Sequence, residues 1–462
     1  MKNLYQNFHV YETLSKQLAK FIEETRYDKL EGKIVDQAKK CFLDFIGVSL
    51  LGSSSDIGKI LIDFMKSMGG AKESTIIGEP YKIPCINAAF VNGTMAHVHE
   101  LDDGHRFAMG HPGAPVIAAA LAVGEKVDAT GKELITAIVV GYEVFIRIAC
   151  SINPSHLQRG FHTTGTCGTF GAAAAAGKIL NLNIEELTNA LGIAGIQAAG
   201  LMEVMRGESI VKPLQPGRAA QSGVLAALLA QRGVTAPDTI LEGENGFCRA
   251  TSDTFKLEEI TKDLGKNYGI MGVYFKLHAS CRHIHPAIDA TLELINKYNI
   301  SPEEIKEVRV RTYSVAYKLC GKEYEPKTVS TAKFSLPYCI AVAILYRNVG
   351  PDAFTIEKIR DQTILNLAKR VKVEIDPEID KSVPKERGAK VEIVKLNGEK
   401  FECFIKNPVG EPEIPVSMED LKSKFKLLSS KVISIRKADE LIKLINELEM
   451  LNNVKELTEM FI

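Results

Sequence analysis

The sequence predicts a mostly α chain, a large all-helical domain with a smaller α+β domain inserted near its C-terminal end. Three observations carry this. Apolar residues recur at 3- and 4-residue spacings from about Thr13 to Leu264. Near Met271 the pattern changes to short β-rich runs, with a strong hairpin signal at Asn397-Gly398. After the Pro-containing linker 407–415 the helical spacing returns. A chain of 462 residues is too long for one ordinary core. The pattern changes divide it into a helical domain of residues 1–268 joined by 408–462, and an α+β domain of residues 269–407.

In chain order, helical spacing marks residues 30–51, 86–99, 133–152, 185–201 and 219–232. Gly168, Gly171 and the alanines Ala172 to Ala176 predict a helix packed closely between neighbours. One strand-like run, 74–77, interrupts the series. In the α+β domain, runs 273–277, 308–313, 371–375, 389–396 and 400–405 read as strands. Residues 286–298 and 331–346 read as helices between them. Ser417-x-x-Asp420 resembles a capping box with Asp in place of Glu, and the tail it opens is expected to rejoin the first domain.

Lysine plus arginine equals aspartate plus glutamate, 57 each, so no basic surplus argues for nucleic acid. No Lys/Arg-rich block suggests a membrane surface, and no apolar stretch of spanning length is evident. The N-terminal residues lack signal- and transit-peptide character, and nine scattered cysteines without a C-x-x-C pair fit reduced thiols. A cytoplasmic protein is expected.

Chemistry concentrates in four islands. MAHVHELDDGHRFAMGHPGAPVIAAA, residues 95–120, holds His97, His99, His105 and His111 around Asp102 and Asp103. Pro112 puts His111 near a helix N-cap, where the dipole favours neutral imidazole and a carboxylate favours imidazolium. Such a histidine suits acid–base work; the alternative is a solvated turn. In GFHTTGTCGTFGAAAAAGKIL, residues 160–180, His162 precedes Thr163 and Thr164 at a helix opening that suits a carboxylate or phosphate, or is ordinarily capped. Lys212 and Arg218 in ESIVKPLQPGR could neutralise a polycarboxylate. FKLHASCRHIHP, residues 275–286, crowds Lys276, His278, Cys281, Arg282, His283 and His285. His-x-His pairs raise a metal, but on a helix the two side chains diverge, so none is expected. Phosphate-binding Gly-rich loops and a Gly-x-Ser-x-Gly elbow are absent.

These islands, in this order, together with LEGENGF (241–247) and AKFSLPY (332–338), resemble the MmgE/PrpD family. That family includes 2-methylcitrate dehydratase, cis-aconitate decarboxylase and iminodisuccinate epimerase. The resemblance runs from about Val10 to Leu448. It implies a helical domain, an α+β lid, a site between them, a homodimer and no required cofactor. By position it assigns the acidic turn to Asp102 and Asp103, and the site histidines to His111 and His162. The lysines are Lys212 and Lys276, the far end of the lid motif is His285, and the tyrosine after a lid strand is Tyr317. Three departures line the implied pocket: Glu100 for an aspartate, Gly104 for a frequent threonine, and Cys281 for a histidine.

The family's reactions each form a carbanion or enediolate equivalent beside a carboxylate. The resemblance therefore implies proton transfer by His111 and His162, with Asp102 or Asp103 orienting an imidazole and Tyr317 as a donor. Lys212, Lys276, His285, Thr163, Arg218 and Arg282 would hold substrate carboxylates. The leading expectation is a dehydratase-type lyase of a small hydroxy-di- or tricarboxylate. The alternatives are a decarboxylase, an epimerase of a small dicarboxylate, or a catalytically silent carboxylate-binding protein.

Overall fold

The computed structural model describes residues 12–205, 209–322 and 324–461. Helices of ten or more residues are α1 (Leu14–Glu24), α2 (Gly32–Ser53), α3 (Asp56–Met68), α4 (Cys85–His97), α5 (Gly113–Lys126), α6 (Gly131–Ile152), α7 (Thr163–Ile179), α8 (Ile184–Gln197), α9 (Leu214–Gln231), α10 (His285–Lys297), α11 (Leu336–Tyr346), α12 (Met418–Ser429) and α13 (Ile435–Asn446). One four-stranded sheet is built from β1 (Ile305–Thr312), β2 (Val371–Ile375), β3 (Ala389–Lys395) and β4 (Lys400–Ile405).

The helical body is wound around α7, which packs against α5, α6, α8 and α9. Its sequence explains why so many neighbours fit. A Cβ added at Gly171 would lie 2.8 Å from the Gly141 carbonyl oxygen of α6, and one at Gly141 would lie 2.9 Å from the Gly171 oxygen. The two helices therefore cross backbone to backbone, and alanine at either position would overpack the crossing by about 1–3 kcal/mol. The α6 segment reaches the length and apolar content of a membrane span, contrary to the sequence expectation. Most of that apolar surface is buried inside the protein, and Glu143 pairs with Arg147 within it.

In the α+β part the sheet order is β2-β1-β3-β4, with β1 parallel to β2 and the other pairs antiparallel. Val308 and Val310 of β1 and Val391 and Ile393 of β3 are buried, and α10 covers β3 and β4. The segment after Pro415 returns to the body. Helix α12 lies along α2, and the Lys424 ammonium donates to Asp44 Oδ1 at 2.6 Å and to the Leu101 carbonyl at 2.7 Å. The Ser417–Asp420 capping box is formed.

Two elements depart from the sequence reading. Residues 273–277 do not join the sheet. Only Val273 and Tyr274 are extended, and they pair with Gly104 and His105 of the body. A Cβ at position 104 would lie 2.4 Å from Tyr274 Oη, so glycine there is what lets the ladder form. The expected helix 331–346 is broken in two, because Ser335 accepts from the Tyr338 N–H and caps a new helix with proline in its first turn.

Candidate active site

The site begins where α4 ends. His97 is its last residue, and Glu100 follows in a left-handed turn with φ 53°, so the chain reverses within three residues. The reversal aims Glu100 and Asp102 back toward His97. Asp102 Oδ2 lies 2.7 Å from His97 Nδ1. A carboxylate at that distance accepts the Nδ1 proton, which leaves Nε2 free to accept from the Lys212 ammonium at 2.8 Å. Lys212 also donates to Glu100 Oε1, and Lys276 donates to Glu100 Oε2 at 3.2 Å. Asp102, His97, Lys212, Glu100 and Lys276 thus form one hydrogen-bonded chain of two carboxylates, two ammoniums and an imidazole, almost wholly buried.

Burial alone would raise the Glu100 carboxyl, but Lys212 and Lys276 hold it well below the usual carboxylate range. Burial also opposes the charge on Asp102, yet His97 and His111 hold that group low too. Lys276 is 1% exposed, and its ammonium survives burial because Glu100 and Asp102 face it and raise its pKa.

His111 stands just outside α5. Its Nδ1 is 2.6 Å from the Asp103 carbonyl oxygen, and its N–H donates to Thr164 Oγ1 at 3.1 Å. A carbonyl can only accept, so Nδ1 carries the proton and Nε2 a lone pair. Asp102 Oδ2 is 3.6 Å from the same Nδ1 and would stabilise an imidazolium. His162 is the N-cap residue of α7, and its Nδ1 donates to Gln215 Oε1 at 2.9 Å. The Gln215 amide nitrogen donates to Leu201 O at 3.0 Å, which fixes the direction of that amide. Among the described residues, His162 therefore also keeps a free Nε2. Burial pushes His111 down to about 3 and His162 well below the ordinary imidazole range, so both rings are neutral at pH 7.

A cavity of about 530 Å³ gathers these groups. Glu100, His111, His162 and Lys212 line it from the body, and Lys276, Cys281, Arg282 and His283 from the other side. The paired strands at Gly104 and Tyr274 join the two walls. The donor atoms of His97, Asp102 and His111 lie within 4.8 Å of one another, a convergence the sequence spacing did not suggest. His97 already uses both ring nitrogens there, on Asp102 and Lys212, and the Lys212 ammonium opposes a cation at that point.

Several residues assigned to the pocket lie elsewhere. Asp103 points away from it, accepting from the Gly113 N–H at 3.0 Å and from the Tyr142 hydroxyl at 2.6 Å, and so caps α5. Burial, with Asp44 and Asp102 nearby, pushes Asp103 up to about 7. Tyr317 sits on the wrong face of its helix, Ser314–Cys320, whose Val315, Lys318 and Leu319 line the cavity instead. Thr163 is fully buried and accepts from Asn153; Thr164 is the hydroxyl that reaches His111. Arg218, on the exposed side of α9, donates to Gln221 Oε1 at 2.6 Å. His285 is buried behind Arg282, bonded to it and to Ser280 O. Arg282 does reach the cavity wall, but Glu411 and the Val409 carbonyl already hold its guanidinium.

Sequence reasoning gave His97 no role beyond a doubtful metal pair, and it passed over Gln215. The spacing His97-x-x-Glu100-x-Asp102 at the end of a helix was the available signal for the first. Nothing local marked Gln215, which acts across 53 residues.

Comparison with known proteins places the chain in a family. The MmgE/PrpD N-terminal domain matches residues 16–260, and the MmgE/PrpD C-terminal domain matches residues 278–450. The chain is 27% identical over 457 residues to cis-aconitate decarboxylase of Aspergillus terreus, covering 94% of this chain and 92% of that one. It is 26% identical over 465 residues to cis-aconitate decarboxylase of Mus musculus, covering 97% and 93%. A probable 2-methylcitrate dehydratase of Saccharomyces cerevisiae is 23% identical over 480 residues, covering 95% and 90%. The relatives' names span two reactions, and the two domain matches together take in most of the chain. The protein belongs to the MmgE/PrpD family.

Proposed function

We propose that the chain is a cofactor-independent lyase that removes a proton from carbon beside a carboxylate in a small hydroxy-di- or tricarboxylate and expels the β-hydroxyl. The observation that carries this reading is the pair of neutral imidazoles, His111 and His162, whose Nε2 lone pairs are free beside the ammoniums of Lys212 and Lys276. A substrate carboxylate would share the ammoniums with Glu100 and place the adjacent C–H bond on His111 Nε2. Asp102 supports the imidazolium that forms, and the lysines stabilise the enediolate charge. The hydroxyl leaves as water with a proton from the Lys212 ammonium, and proton return from His111 to Lys212 resets the site.

Decarboxylation is the second reading, and the relatives named cis-aconitate decarboxylase favour it. It needs an acid to protonate the carbanion and no base to create one. Imidazoles that rest neutral suit elimination better.

Mass spectrometry of incubations with 2-methylcitrate and, separately, cis-aconitate tests the choice. The expected result is loss of water from the hydroxy-acid with no carbon dioxide from either. Release of carbon dioxide from the unsaturated acid would establish the second reading. Deuterium uptake with inversion and no new product would make the protein an epimerase. No turnover in a broader screen of hydroxy-acids and unsaturated acids would leave it a carboxylate binder.

A further inference from the structure

Arg387 takes no part in the reaction proposed above, yet it lines the same cavity from the α+β wall, two residues before β3. It is 7% exposed. Two contacts fix it in place. Its backbone N–H donates to Asn407 Oδ1 at 3.3 Å, and its Nη2 donates across to the Arg106 carbonyl of the body at 2.8 Å. Nε is enclosed without a partner. Nη1 makes no hydrogen bond among the described residues and, unlike Nε, is not enclosed.

No carboxylate among the described residues pairs with this guanidinium. Glu411 is held by Arg282 at 3.1 Å and by Arg106, Glu413 by Arg106, and Glu386 by Lys406 at 2.8 Å. Glu100, the one acidic residue among the described residues lining the cavity, is shared by Lys212 and Lys276. Lys318 also lines the cavity, but it is exposed, so water already compensates its charge. Arg387 is thus the buried cation of this cavity that lacks an anion, a costly state that a bound carboxylate would relieve. Burial, and then the charge of Arg387, lower His283 to about 3, in keeping with a guanidinium beside that ring in the cavity wall.

We infer that Arg387 is a specificity residue, whose Nη1 takes a carboxylate of the substrate other than the one on Lys212 and Lys276. Arginine keeps its charge when buried and presents planar N–H donors that suit a carboxylate. Its tethers to Arg106 and Asn407 hold the side chain before the ligand arrives, so little further ordering is needed on binding. An acid with two or more carboxylates satisfies both cationic stations; an acid with one leaves Arg387 unpaired. The inference rests on reading this cavity as a polycarboxylate site and does not depend on which bond breaks there.

Calorimetric titration of the intact chain with tricarballylate, which has three carboxylates, and with butyrate, which has one, tests it. In the wild type tricarballylate should bind at least about tenfold more tightly. Arg387→Gln should weaken tricarballylate by about 10–100-fold and butyrate by less than about twofold, so that the preference collapses. A purely structural role would weaken both ligands alike. Arg387→Lys keeps the buried charge but not the planar fork, and should cost tricarballylate about three- to tenfold with butyrate again unchanged, which keeps the test decisive if Arg387→Gln does not fold. Turnover measured beside binding separates this inference from the proposed reaction. The expected selectivity pattern in a chain without lyase activity would leave the inference standing and remove the reaction; wild-type turnover with undiminished tricarballylate affinity in Arg387→Gln would do the reverse. Equal losses for the two ligands, or a wild type with no preference between them, would also overturn the inference.

Discussion

His97, His111 and His162 on the body, and His278, His283 and His285 on the α+β part, are two histidine clusters of equal size in nearby walls. Burial holds His111, His162, His283 and His285 all below the ordinary imidazole range. Their hydrogen bonds differ. In the second cluster His285 uses both nitrogens, on Arg282 and Ser280 O, and His278 holds Asp289, whose other oxygen accepts from the Val409 N–H. His283 also lines the cavity, but its Nδ1 partner is the Tyr313 hydroxyl, which can donate as well as accept and so does not fix a lone pair on Nε2 as a carbonyl or amide oxygen does. In the first cluster, partners at Nδ1 leave His111 and His162 with free Nε2 atoms at a cavity. Histidine content and protonation state do not separate a reactive cluster from a structural one. The direction of the remaining lone pair does.

Acid should treat both clusters alike, and with the largest effect. A histidine lowered in the folded state takes up its proton on unfolding, so it costs stability as pH falls below about 6.5, down toward its folded value. His99, His105, His111 and His283 stand at about 3 and His156 at about 4. Asp103, raised to about 7, works the other way for one proton between its folded value and the ordinary aspartate range. The thermal midpoint should therefore fall steadily from pH 6.5 to 4.5, each uncompensated histidine contributing up to about 1.4 kcal/mol per pH unit. A midpoint that stays level across that window would show that these rings are charged when folded.

Catalysis should separate the clusters. His111→Gln is expected to lower single-turnover rate by about 10²–10⁴-fold while calorimetric binding of an unreactive tricarboxylate persists. Near-full turnover in this variant would return the ring to a turn-forming role. Lys212→Ala should weaken binding of the same tricarboxylate by about one to two decades, since a charge-assisted contact is worth roughly 1.5–3 kcal/mol, and should also slow turnover, because the leaving hydroxyl loses its proton donor. An unchanged dissociation constant would place the carboxylate on Lys276 alone. The smallest change in turnover belongs to the second cluster. His285→Gln should cost about 1–3 kcal/mol in denaturant unfolding, because Arg282 and Ser280 lose a partner, with turnover held within about twofold. A hundredfold loss of turnover there would erase the distinction.

Long helices were legible because α2, α4, α6 and α9 carry their apolar residues through several turns. The motif islands also pointed to His111, His162, Lys212 and Lys276 as neighbours, which they are. What was not legible is set by backbone direction over one or two residues. Asp102 and Asp103 are adjacent yet face opposite sides of a turn fixed by the left-handed Glu100, so one meets His97 and the other caps α5. Thr163 and Thr164 divide in the same way. The Gly104–Tyr274 ladder joins segments 170 residues apart, and no local pattern marks such a pairing.

The Lys424 contact gives the chain a schedule. The turn bearing Glu100 and Asp102 is pinned at the Leu101 carbonyl by a lysine 323 residues further along. At about 5–20 residues per second a ribosome needs roughly 16–65 s to make that intervening stretch. Throughout that interval the helical body can form while the acidic turn still lacks its anchor. A nascent chain halted before α12 emerges would carry every body-side histidine and lysine of the site and still leave the carboxylates unfastened. The site would be completed late in the chain's own synthesis.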